Sequence, residues 1–140
     1  MSAHSDLNTH SPRLDHIGIA VRSIEAAAEV YRTIGIEPGA REIVINQGIE
    51  IQMLPVGEAR LELLQPTRDD SPVASFLEKR GEGLHHIALK VSDLKSVLSK
   101  LKADKIHLID EEPRIGAGGH LIAFIHPRST GGVLIELMED

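Results

Sequence analysis

Hydrophobic and polar positions alternate along residues 14–21, LDHIGIAV. Ile17, Ile19 and Val21 take one side, His16, Gly18 and Ala20 the other. That period of two predicts a strand with one greasy face and one face of small residues plus a histidine. The period then changes. Ile24, Ala27, Ala28 and Tyr31 recur at helical spacing, with Ser23 placed as a cap and Gly35 as a stop, so residues 24–34 are predicted helical. Extended stretches at 42–46 and 49–54 meet at Gln47-Gly48, which reads as a hairpin. A turn over 55–58 leads to a strand at 59–65 before Pro66. Ser71-Pro72 then opens a short helix over 73–80, closed by Gly81.

At Leu84 the pattern begins again. LHHIALKV repeats the first strand, and Ser92 or Asp93 caps a helix whose buried stripe is Leu94, Val97, Leu98 and Leu101. After a turn near Asp104-Lys105, residues 112–115 look extended, 116–119 form a flexible bend, and 120–126 and 133–138 are strands joined by a turn over 127–132. A shift of 70 residues carries Leu14 onto Leu84, His16 onto His86, Ile17 onto Ile87 and Val21 onto Val91. The last strands match as well, Leu61-Glu62-Leu63 against Ile135-Glu136-Leu137. Internal repetition on this scale predicts one α+β domain over 14–140, built of two β-α-β-β-β modules. The first is 14–66, the second 84–138, with 67–83 as a linker carrying the short helix. Residues 1–13 read as a disordered polar tail, and His4 and His10 as tail residues.

Each module thus opens on a strand bearing histidine and closes on a strand bearing glutamate. One glutamate between aliphatics is ordinarily a half-exposed strand residue. Two at equivalent places, each with an equivalent histidine, point elsewhere. If His16, Glu62, His86 and Glu136 converge on one sheet face, their burial calls for a cation. Two imidazoles and two carboxylates suit Co²⁺, Zn²⁺, Ni²⁺, Mn²⁺ or Fe²⁺ and not Cu⁺. In an octahedral site they leave two positions open, a catalytic arrangement. His85 adjoins His86, and neighbours on a strand face opposite ways. The 70-residue register selects His86.

Composition narrows the partners. The 140 residues carry a net charge of −6, which argues against nucleic acid, whose binding rests on neutralised phosphates. There is no cysteine, so disulfides and thiolate metal sites are excluded. No apolar run approaches the roughly 20 residues of a membrane span, and the first residues lack the apolar core of a secretory signal. A cytoplasmic protein is the expectation.

The segments LDHIGIAV, ELLQP, DSPVASFLEKRGEGLHHIALKV, PRIGAGGHLIAFIHP and GVLIEL span 14–138. Together they resemble the vicinal-oxygen-chelate superfamily and, within it, the methylmalonyl-CoA epimerases. The histidine strands alone indicate the superfamily. The DSP helix running into GLHHIAL and the IGAGG…HP…GVLIEL tail are the more specific part. The resemblance implies a cupped, largely antiparallel eight-stranded sheet with helices outside. It implies metal ligands at His16, Glu62, His86 and Glu136, where some members carry Gln in place of Glu62. Cobalt is the implied metal, an acyl-CoA the implied substrate, and a homodimer the expected assembly. The implied reaction moves the α-proton of methylmalonyl-CoA through a metal-stabilised enolate and interconverts its epimers. Glu50 matches a glutamate proposed as base in bacterial members and shares a strand face with Gln52, opposite Ile49, Ile51 and Met53. The second acid/base is either Glu136, as a ligand that detaches or shares its proton, or a metal-bound water. The Gly116–Gly119 bend is either a plain connection or a lid over the substrate carboxylate. A glyoxalase-type lactoylglutathione lyase could use the same four ligands. A ring-cleaving Fe²⁺ dioxygenase fits less well, since its triad needs only three. A metal-free drug-binding cup is poorly served by one Tyr, two Phe and no Trp.

Overall fold

The computed structural model describes residues 11–140. The tail positions His4 and His10 lie outside the described residues. The chain is α+β, with eight strands and three α-helices among the described residues. It divides into two compact units, His16–His86 and a second formed by Ile87–Asp140 with residues 11–15. The boundary falls inside β1 (Arg13–Ala20) and β5 (Gly83–Val91).

In the unit His16–His86 the strand order is β2-β3-β4-β1, with β2 Arg41–Val44, β3 Ile49–Val56 and β4 Ala59–Pro66. The β2·β3 and β3·β4 pairs are antiparallel, and β1·β4 is parallel. The sheet is therefore mixed, because the chain returns through helix α1 (Ile24–Ile34) before it can lay strands beside β1. Ser23 caps α1, its hydroxyl accepting from the Ala26 amide at 3.2 Å, and Gly35 ends it at φ 106°. Ile24 and Ala28 of α1 pack on Val21, Leu54 and Leu63. Helix α2 (Pro72–Arg80) starts at the proline, with the buried Ser71 hydroxyl accepting from the Ala74 amide at 3.0 Å. It packs against β4.

In the other unit the order is β5-β8-β7-β6, with β6 Arg114–Ile115, β7 Leu121–Ile125 and β8 Ile135–Glu139. Here β5·β8 is parallel, and β7 pairs antiparallel with both neighbours. Helix α3 (Leu94–Ala103) is capped by Asp93 and packs Leu94 and Leu98 on Val91, Ala123, Ile125 and Leu137. The opposite sheet face carries Ala88, Ile122, Phe124 and Met138.

The element order matches the expectation, with corrected edges. The strand read at 42–46 ends at Val44, and residues 45–47 form a single 3₁₀ turn. The stretch 112–115 pairs only through Arg114 and Ile115. Pro113 has no amide to give a ladder. Asp110 instead accepts from the Phe124 amide at 2.8 Å and from Arg114 at 3.0 Å. His126 leaves β7 to cap the next turn, its Nδ1 accepting from the Arg128 amide. Arg13, read as tail, belongs to β1 and pairs with Asp140 at 2.6 Å. Among the described residues no helix is long and apolar enough to cross a membrane.

Candidate metal centre

The parallel ladder sets Gly18 beside Glu62 and His16 beside Arg60. Because side chains alternate, His16, Gly18, Arg60 and Glu62 share one face, and Leu61 and Leu63 serve the α1 core on the other. His16, Glu62 and His86 are each at most 5% exposed. His16 Nε2 lies 3.0 Å from His86 Nε2 and 3.4 Å from Glu62 Oε1. Arg60 donates from Nε to Glu62 Oε2 at 2.9 Å, which turns the other carboxylate oxygen toward His16.

These donors fit a divalent ion. Ligand atoms about 2.1 Å from a common ion and about 90° apart stand about 3.0 Å from each other; at a tetrahedral angle the separation is about 3.4 Å. Both spacings occur here. The same contacts satisfy the groups in a metal-free state, as an imidazole–imidazole hydrogen bond beside an Arg60–Glu62 ion pair.

The His86 ring occupies space that a side chain at position 18 would need. A Cβ built on Gly18 would overlap the ring, and even Nε2 would stand only 3.0 Å away. Gly18 was legible in the sequence only as a small residue between His16 and Ala20. Its role as the floor under His86 was not. Arg60, two residues before Glu62 and so on its face, carried a signal that the strand period could have exposed.

Glu136 lies on β8 in the other unit, 7% exposed, beside Ala88 in the parallel ladder and opposite Phe124. Its setting reproduces that of Glu62, since the 70-residue shift takes Gly18 onto Ala88.

Glu50 is not on the face of Glu62. Met53 stands opposite Glu62 in the β3·β4 ladder and Glu50 opposite Gln65. Directly opposed residues point the same way, and three residues along a strand reverse the direction. Gln65 accepts from the Ile24 amide, the first of α1. Arg41 bridges Glu50, at 3.3 Å, to Glu25 of α1, at 2.9 Å. Glu50 therefore sits on the α1 side of the sheet, which corrects the expectation that it is the base.

The glycine bend is a 3₁₀ turn over Ala117–Gly119, with Gly118 at φ 68°. Its amides turn inward: Gly116 donates to His120 at 2.8 Å and Gly119 to Gly116 at 3.2 Å. Before α2, Arg68 donates to Asp70 at 2.8 Å, and that guanidinium holds the exposed carboxyl below its usual range.

Comparison with known proteins fits this arrangement. Residues 15–124 match the model of the glyoxalase/bleomycin resistance protein/dioxygenase superfamily. The chain belongs to that superfamily. It is 48% identical to YqjC, an uncharacterised protein of Bacillus subtilis, over 91% of either chain. It is 39% identical to the ethylmalonyl-CoA/methylmalonyl-CoA epimerase of Cereibacter sphaeroides, over 89% of this chain and 96% of that one. A solved variant of the Streptomyces coelicolor methylmalonyl-CoA epimerase, in complex with 2-nitronate-propionyl-CoA, superposes with a TM-score of 0.86 at 39% identity. The match covers 91% of this chain and 94% of that one. The chain is thus related to epimerases of malonyl-type thioesters and carries their α+β vicinal-oxygen-chelate fold.

Proposed function

We propose that the protein is a metal-dependent epimerase acting on methylmalonyl-CoA. The observation that carries this reading is the buried meeting of His16, Glu62 and His86 in a chain whose relatives include named epimerases. Glu136, repeated from the position of Glu62, completes the ligand set. The resemblance makes Co²⁺ the first candidate, and the donor set also admits Zn²⁺, Ni²⁺, Mn²⁺ or Fe²⁺.

Once bound, a divalent cation would act as a Lewis acid toward charge gathering on the thioester oxygen as the α-proton leaves. The chain's own residues do the rest. His16, Glu62 and His86 are buried, so their charge interactions are screened little by bulk water. Arg60 holds one oxygen of Glu62, and so fixes the other. Inversion needs a proton carrier on each side of a planar intermediate. Glu136 is one. The other is Glu42, which replaces Glu50. Glu42 stands opposite Ile51 in the β2·β3 ladder, and Ile51 shares its face with Met53 and hence with Glu62. Glu42 is also half-buried. A homodimer with a full ligand set in each chain goes with this reading, and sedimentation velocity measures it.

The test is solvent-deuterium exchange and epimer interconversion on methylmalonyl-CoA with cobalt-loaded protein. Exchange at the α-carbon and interconversion of the epimers are expected. A cobalt-bound protein that does neither, but converts a glutathione hemithioacetal, would be a lyase instead. Removing one of two proton carriers separates the measurements. Glu42→Gln is expected to slow interconversion by about 100-fold or more, while one epimer still exchanges its proton with retained configuration.

A further inference from the structure

Adjacent strand residues should turn to opposite faces, yet the rings of His85 and His86 meet. Their Nδ1 atoms stand 2.9 Å apart, with the rings edge to face at 86°. Phe76 of α2 packs edge-on to His85, with centroids 4.9 Å apart. Between two Nδ1 atoms at this distance, one carries the proton and the other a lone pair. Building on the metal reading above, we propose that His85 is a positioning residue for His86. It accepts a hydrogen bond from His86 Nδ1–H, and so holds His86 in the tautomer that leaves Nε2 bare.

The remaining contacts of the ring agree with that assignment. His86 Nε2 faces His16 Nε2 at 3.0 Å, the side on which the ligand set gathers. A metal takes a nitrogen lone pair, and ligating histidines characteristically donate their other N–H to a fixed acceptor. His85 is that acceptor in this chain. Its own ring is held in place by Phe76, and Gly18 leaves the His86 ring its room. The metal-free hydrogen bonds then form one consistent chain, His16 Nε2–H to His86 Nε2 and His86 Nδ1–H to His85 Nδ1. On metal binding His86 keeps its proton where it was. Only His16 must move its own.

Two variants of the full-length protein separate orientation from packing. His85→Phe keeps a ring against Phe76 but has no acceptor. His85→Asn loses the ring but can set Oδ1 where Nδ1 stood. Cobalt affinity and the visible absorption of the cobalt complex are measured for each, and nitrogen-15 NMR reads the His86 tautomer without metal. The expectation is Nδ1–H on His86 in the parent protein. H85F should bind cobalt about 10–100-fold more weakly, with an altered spectrum, and H85N should largely restore both. If H85F binds within about twofold of the parent with the same spectrum, or if the parent's His86 carries its proton on Nε2, His85 has no such role. A parent protein that takes up no cobalt removes the metal reading, and this inference with it.

Discussion

A methyl group at position 18 has nowhere to go, because the His86 ring fills that space. Gly18→Ala is therefore expected to push His86 away from His16. Forcing one methyl into a packed site costs about 1–3 kcal/mol, seen in urea titration, and cobalt affinity should fall more than stability does. Glu50→Ala should do the reverse. The pair it forms with Arg41 is solvent-screened, so its loss costs at most about 1 kcal/mol. Exchange of the substrate α-proton should persist at close to the parent rate. A collapse of exchange in that variant, with cobalt content unchanged, would restore Glu50 as the base. The repeat alone singled out His16, Glu62, His86 and Glu136. It could not orient Glu50. Which face that residue takes depends on the partner of Glu62 across the hairpin, and a one-residue slip in register reverses every side chain of β3. The His85–His86 contact was equally hidden, since it departs from the alternation a strand normally imposes.

At the scale of the element, the helices were the legible part, because each carries its own punctuation. Ser23 and Gly35 bracket α1, Ser71-Pro72 opens α2 and Asp93 opens α3. Strand edges were less legible where side chains take over backbone partners, as Asp110 does for Phe124 and His126 for Arg128. The Ser71 cap carries a prediction, because it is fully buried and serves the Ala74 amide. Ser71→Ala should destabilise the protein by about 1 kcal/mol, within a range of about 0.5–2. The consequence should extend beyond stability. Helix α2 carries Phe76, which braces His85. A loosened α2 should therefore weaken cobalt binding modestly while leaving His16, Glu62 and Gly18 untouched. Chemical denaturation and cobalt titration of the same variant check both halves. An unchanged cobalt affinity in a clearly destabilised variant would separate α2 from the site.

For the whole molecule, the proposed metal is a folding ligand as well as a chemical one. An ion that binds only the native chain stabilises it by RT ln(1 + [L]/Kd), about 4 kcal/mol at a thousandfold excess over Kd. At about 2–4 °C per kcal/mol, cobalt should raise the melting temperature by about 10 °C, and a chelator should reverse the shift. The internal duplication says which substitutions should abolish it. His16→Ala and His86→Ala each remove an imidazole from the 3.0 Å pair, and should leave a protein that melts without responding to cobalt. Glu136→Gln tests the copy in the other repeat, which the sequence alone paired with Glu62. If Glu136 is a ligand, its shift should shrink along with that of Glu62→Ala. If the Glu136→Gln shift stays full while Glu62→Ala loses it, the metal belongs to the His16–His86 unit alone. The second half of the duplication would then supply Glu136 as a proton carrier only, and interconversion would fail in that variant with cobalt still bound, while the other epimer from that seen in Glu42→Gln still exchanges its proton.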